Sequence, residues 1–175
     1  PAEQNLALAQ AHLALCYATG QGVAKDEVEA VKWWHKAADH NNADAQCDLA
    51  SCYAAGKGVA KDVSEAIKWY CKAAEQNNAT AQNNLAWILA TSADPAIRDG
   101  ANAVVFAEKA VAATERKTPW NLGTLAAAYA EVGQFEKAVS TQQEAIALLQ
   151  TEEKKNDYRS RLKLYEAKTP YREKE

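Results

Sequence analysis

The chain has 175 residues and a formal charge of −3, with only seven glycines and four prolines against 48% hydrophobic residues, many of them alanine. That balance leaves no electrostatic footprint for nucleic acid or an anionic membrane. No apolar run reaches the roughly 20 residues of a membrane span. Few breakers and abundant alanine predict close-packed helices without strands, in one continuous domain large enough to bury a core.

In chain order, residues 5–19 carry Leu6, Ala9, Leu13 and Tyr17 along one stripe, which predicts a first helix that stops at Gly20. Gly20-Gln21-Gly22-Val23-Ala24-Lys25-Asp26 then returns 36 residues later as Gly56-Lys57-Gly58-Val59-Ala60-Lys61-Asp62. Self-similarity at that period is the signature of a solenoid. Each copy reads as the turn of a helix hairpin, with glycines supplying positive φ and the aspartate capping the next helix. Asp26 with Glu29, and Asp62 with Glu65, match the capping-box spacing. The helices they open run through Val31, Trp34, Ala37 and Ala38, and through Ala66, Trp69, Tyr70, Ala73 and Ala74.

Asn42 and Asn78 cap the first helices of repeats two and three, the latter carrying Ala81, Leu85 and Leu89. The third connection, Thr91 to Gly100, is longer and lacks the double glycine, but Ala103 and Ala110 keep the register of Ala30, Ala66 and of Ala37, Ala73. Thr118-Pro119 opens repeat four, a cap followed by proline at the first helical position. Leu122, Leu125, Ala126 and Tyr129 lead to Gly133, and Phe135, Ala138, Ala145 and Leu148 continue it. A last helix from Thr151 through Tyr158, Leu162 and Tyr165 has one charged face and closes the stack as a capping helix. Its lysines and arginines, including Arg159, Arg161 and Lys163, interleave with acids and read as a solvated face. The expected layout is a single domain over 1–167 with repeats at 5–41, 42–77, 78–117 and 118–150, a capping helix at 151–167, and a flexible tail at 168–175.

Repeats one and two resemble Sel-one-like repeats, the 36-residue variant of the tetratricopeptide repeat. They do so through the Ala-x-x-x-Leu-Ala-x-x-Tyr-x-x-Gly-x-Gly-Val-x-x-Asp pattern and through Trp33, Trp34, Lys36, Ala37, Ala38 and Trp69, Tyr70, Lys72, Ala73, Ala74. Repeat four resembles an ordinary tetratricopeptide repeat, and repeat three is intermediate. The later half, from Leu85 to Ala113 and on to the closing Arg161 to Arg172 stretch, resembles the C-terminal end of larger bacterial repeat proteins. The resemblance implies an all-α, right-handed α-solenoid of about four helix-turn-helix repeats plus the capping helix. It also implies a concave groove, lined by the first helices, that binds a peptide or protein.

By register the groove positions are Leu8, Ala11 and Leu15, then Asp44, Cys47 and Ser51, then Thr80, Asn83 and Trp87, and finally Trp120, Gly123 and Ala127. Trp87 is the expected anchor, against the alternative that it fills space under the third connection. The lysine-rich clamp of carboxylate-gripping relatives is missing, so the expected groove is partly apolar and nearly uncharged.

Cys16 and Cys52 sit at equivalent positions as small fillers. In cysteine-rich relatives a disulfide joins the end of one repeat to the start of the next, at positions that here hold Ala38 with Gln46 and Ala74 with Gln82. The four cysteines are therefore expected to be free thiols, which leans toward a reducing, cytoplasmic compartment. The sequence begins with Pro1 and lacks Met, the pattern of a trimmed chain, so a periplasmic leader stays open. His12, His35 and His40 form no metal spacing, and Gly-x-Gly-Val joins two helices rather than strand to helix. No catalytic residue, cofactor or metal is expected. The predicted function is a non-enzymatic protein-interaction scaffold, with a structural spacer or self-association module as the alternative.

Overall fold

The computed structural model describes residues 2–173, and among them all regular structure is helical: α1 (Ala2–Thr19), α2 (Glu27–Asp39), α3 (Ala43–Ala55), α4 (Val63–Glu75), α5 (Ala79–Thr91), α6 (Gly100–Ala113), α7 (Pro119–Glu131), α8 (Phe135–Leu148) and α9 (Glu152–Glu166). The chain packs as two compact units, 1–81 and 82–175, whose division falls inside α5.

In unit 1, α1 pairs with α2 and α3 with α4, and α2 lies against α3. Alanine permits these close approaches: Ala30, Ala37, Ala45, Ala50, Ala66 and Ala73 are wholly buried. The glycine turns take left-handed backbone as expected, with φ of 77° and 76° at Gly20 and Gly22 and 69° and 68° at Gly56 and Gly58. Asp26 and Asp62 cap α2 and α4 by accepting from the backbone N–H of Glu29 and Glu65, each at 2.9 Å.

The capping box is only half made. The aspartate N–H groups that a reciprocal glutamate would satisfy are already donated to Tyr17 O and Tyr53 O at 2.9 Å. Glu29 and Glu65 are thereby free to pair with Lys32 and Lys68, at 2.8 Å. The third connection keeps the same closure although it is one residue longer, since Asp99 N–H donates to Leu89 O at 3.0 Å. Its irregular sequence changes the path of the loop and leaves its end points where the repeat requires them.

A second periodic device has no glycine. α2 and α4 end in left-handed asparagines, Asn41 (φ 60°) and Asn77 (φ 62°), after which Asn42 and Asn78 donate back to Ala37 O and Ala73 O. Asparagine tolerates that conformation better than other side chains. Asn42 and Asn78 then cap α3 and α5 through Ala45 N–H and Ala81 N–H. Each Asn-Asn pair thus stops one helix and starts the next.

The stripe read on α1 differs from the packed one. Ala7 and Ala14 are buried while Leu6 and Ala9 are exposed. The α3 equivalents of Ala9 and Leu13 are Ala45 and Leu49, wholly buried in a unit where α3 rests on α2. Among the described residues α1 packs chiefly against α2.

In unit 2, α7 packs between α6 and α8, and α9 covers α8. One core joins Ala86 and Ala90 of α5, Ala103, Ala107 and Val111 of α6, Leu122, Leu125 and Ala126 of α7, Ala138 and Ala145 of α8, and Tyr158 and Tyr165 of α9. Pro119 takes the first position of α7, though Thr118 makes no side-chain cap bond there. The buried stripe of α9 is Tyr158, Arg161 and Tyr165 rather than Tyr158, Leu162 and Tyr165, so Arg161, read as part of a solvated face, is only 4% exposed. In the stretch where the sequence predicts a flexible tail, Lys168 and Thr169 N–H donate to Tyr165 O and Leu164 O at the end of α9, and Tyr171 to Glu173 lie against α5, with the backbone N–H of Glu173 donating to Thr91 O.

Candidate interaction surface

The predicted groove residues fall into two sets, one in each unit. In unit 1, Leu8 and Leu15 are exposed at 53% and 50%, Ala11 is half-buried beside them, and Asp44 and Thr80 are exposed. Asp44 accepts from Asn78 Nδ2 at 2.8 Å. Ser51 is half-buried, its hydroxyl 2.8 Å from that of Tyr70 and donating to Cys47 O.

Cys47 is not on the surface. It is 5% exposed, and burial together with Asp48 and Asp44 pushes its thiol up to about 12. Burial and Asp48 push Cys52 up to about 11, and burial raises Cys71. A nucleophilic cysteine needs the opposite shift. All four cysteines are free thiols. At pH 8, Cys47 and Cys52 should react with a disulfide reagent on the order of 100-fold or more slowly in the folded chain than in urea, following their thiolate fractions. Tagging followed by mass spectrometry checks this, and rapid native labelling of Cys47 would contradict it.

Where cysteine-rich relatives carry a bridge, Gln46 Nε2 donates to Ala38 O at 3.2 Å. Gln76 Nε2 in turn reaches Gln46 Oε1 at 2.8 Å and Asn41 Oδ1 at 3.2 Å. A polar ladder therefore ties the end of one hairpin to the start of the next. Elsewhere in the unit, Lys36 and Lys72 lie over the rings of Trp33 and Trp69 at 3.8 Å, and His35 meets Asp39 and the edge of Trp69. Among the described residues no group of three or more His, Cys, Asp or Glu could hold a metal.

In unit 2 the groove set divides by burial. Asn83 (2% exposed), Gly123 and Ala127 are buried. Gly123 lies under α9, because a Cβ there would stand 2.8 Å from Tyr158 Cε1. The amide of Asn83 has no hydrogen-bond partner among the described residues. Trp87 and Trp120 remain on the surface, half-buried and 51% exposed, with ring centroids 5.9 Å apart.

Three further side chains join them that the sequence reading did not assign to the site. Tyr171 packs on Trp87 with ring centroids 5.7 Å apart and planes tilted by 38°. The Arg161 guanidinium lies 5.4 Å from the Trp87 ring, 4.3 Å from Tyr158 and 5.8 Å from Tyr171. Trp87 Nε1 donates to Glu173 Oε2 at 3.1 Å. Arg161 is fixed by Asp157 at 2.7 Å. The available signal for Arg161 was its spacing, three residues after Tyr158 and four before Tyr165. An aromatic and guanidinium surface of this kind can hold extended chain by stacking and directed hydrogen bonds.

The sequence model of the Sel1 repeat matches residues 7–42, 43–78 and 79–114, well over half of the chain. The chain belongs to the Sel1 repeat family. Its Sel1 repeats coincide with the hairpins α1/α2 and α3/α4 and with α5 and α6, and the match ends before α7. Comparison with curated protein sequences finds no match.

Solved structures share the fold. c5321, a protective antigen of uropathogenic Escherichia coli strains displaying an SLR fold, has a TM-score of 0.73 at 22% identity over 92% of this chain and 34% of its own. A Sel1 repeat protein from Oxalobacter formigenes has 0.66 at 29% identity over 86% and 62%. MamA 41-end from Desulfovibrio magneticus RS-1 has 0.67 at 20% over 92% and 84%. The chain spans about a third of c5321 and under two thirds of the Oxalobacter protein. The architecture is thus an all-α solenoid of Sel1-type helical repeats. Sel1 repeat proteins generally serve as non-catalytic scaffolds for protein–protein interaction.

Proposed function

We propose that this Sel1 repeat chain binds a protein segment on the inner faces of its first helices, with the Trp87–Trp120 surface of unit 2 as the anchor. The observation that carries the reading is that surface itself. Two tryptophans from first helices of successive repeats meet with centroids 5.9 Å apart and planes tilted by 32°, and the outer one stays 51% exposed. Rigid aromatic area of that kind dominates binding energetics at interfaces. In unit 1 the same register presents Leu8, Leu15, Asp44 and Thr80, a mixed apolar and polar face.

The alternative, a spacer or self-association module, draws its support from Leu8 and Leu15, an exposed apolar pair two turns apart on α1. It requires a solution mass above the monomer's that falls when both leucines become glutamate.

Trp120→Ala tests the anchor with little risk to the fold, because half the ring is already in water. A partner retained by the wild-type chain should be lost at least tenfold by the mutant, while circular dichroism shows unchanged helicity. If a folded Trp120→Ala protein retains the same partners, or neither form retains any in a monomeric state, the anchor reading fails.

A further inference from the structure

α5 ends at Thr91 with carbonyls its own helix cannot pair. The segment after α9 supplies donors to them. Glu173 N–H reaches Thr91 O at 2.9 Å and Arg172 Nη1 reaches Ala90 O at 3.4 Å. Side chains of the same segment then diverge. Tyr171 goes to the Trp87 ring under Arg161, Arg172 Nη2 to Glu131 at 2.6 Å, and the Glu173 carboxylate to Trp87 Nε1 at 3.1 Å. Glu131 on α7 is held ready by Arg98, whose Nε lies 3.2 Å away.

Pro170 to Glu173 is therefore gripped through one main-chain bond and three successive side-chain contacts, drawn from α5, α7 and α9. This is how grooves hold extended peptides. Two features set it apart from ordinary core packing. The segment is half-buried to exposed along its length, and Trp120, against Trp87 at 5.9 Å, extends the aromatic surface beyond the ring that Tyr171 contacts.

We propose that Pro170–Glu173 is an intrachain ligand occupying the recognition surface of unit 2, and that the external partner is an extended peptide segment displaying an aromatic residue, an arginine and an acidic residue in succession, which displaces it. This rests on the scaffold reading above and specifies its ligand. The aromatic residue takes the place of Tyr171 on Trp87, the arginine pairs with Glu131, and the acid accepts from Trp87 Nε1. A tethered segment competes at an effective concentration of about millimolar. If it occupies the surface 99% of the time, external affinity falls about 100-fold.

The probe is a fluorescein-labelled, amidated peptide of sequence Lys-Thr-Pro-Tyr-Arg-Glu, followed by anisotropy. It should bind a Tyr171→Ala/Glu173→Ala double variant at least tenfold more tightly than the unmutated chain, and adding Trp87→Ala should remove that binding. Equal affinities, or no binding by a double variant shown folded by circular dichroism, overturn the proposal. A second measurement needs no variant. Saturating peptide should accelerate hydrogen exchange at the Glu173 amide of the unmutated chain, and unchanged exchange overturns the proposal. A failed peptide with Trp120-dependent partner capture intact retires the intrachain ligand alone. A peptide that displaces the segment while Trp120→Ala captures the same partners as wild type retires the scaffold reading instead.

Discussion

Gly58→Ala should destabilise unit 1 by about 3–5 kcal/mol, whereas the same change at the motif-equivalent Gly22 should cost about 1 kcal/mol. Both glycines have φ near +70°, 68° and 76°, so both substitutions incur the left-handed penalty. They differ in what surrounds them. A Cβ at Gly58 would lie 2.1 Å from Glu27 O and 2.5 Å from Glu27 C, atoms of the backbone that opens α2, whereas a Cβ at Gly22 meets nothing within 4 Å. The contact cannot be relieved by a rotamer change. Either the second turn lifts off the first hairpin or the first turn of α2 unwinds, and both sacrifice the α2–α3 packing. Thermal melts followed at 222 nm should show a drop of well over 10 °C for Gly58→Ala and about 5 °C for Gly22→Ala, given the size of the unit. Equal shifts would mean the turn between α3 and α4 does not rest on the start of α2.

That contrast also shows what a sequence of this kind reveals. The heptad Gly-x-Gly-Val-Ala-Lys-Asp announces turn, cap and period together, because each rests on local backbone chemistry that recurs every 36 residues. The small-residue register follows for the same reason, since Ala30, Ala66 and Ala103 meet the same geometry three times. Legibility ends where a position depends on its neighbour in space. Gly22 and Gly58 are equivalent in sequence, and only packing distinguishes them. Ala9 repeats Ala45, yet it is exposed, whereas Ala45 is buried where α3 lies on α2 as well as on α4. The unit 2 surface is harder still, because Trp87 meets Glu173 across 86 residues and no periodicity links them. Arg161 sits among Lys and Glu at a spacing that reads as solvated helix, and its burial becomes apparent only once Trp87 and Tyr171 join Tyr158 of its own helix around it.

Arg161→Ala is expected to be the most damaging side-chain truncation at that surface, lowering the stability of unit 2 by about 2–4 kcal/mol. The loss arises from rings rather than from the ion pair. Asp157, the one carboxylate it touches among the described residues, is 68% exposed and stays solvated when the arginine is removed, so a surface-type pair of this sort contributes little. Arg161 is 4% exposed and its guanidinium lies against Tyr158, Trp87 and Tyr171, with its Nε unpaired among the described residues. Truncation leaves a cavity between α9 and α5 and frees Tyr171. Two conservative variants separate packing from recognition. Arg161→Met fills the volume without charge or an unpaired donor, and should recover most of the stability, because a well-packed apolar side chain often matches a buried charge. Arg161→Lys keeps the charge but lacks a planar face to lie on the rings, and should recover less. Urea unfolding at 222 nm gives the stability order, wild type and Met above Lys above Ala. If Lys instead matches wild type while Met behaves like Ala, the charge holds α9 in place, and the stacked geometry is incidental to the fold.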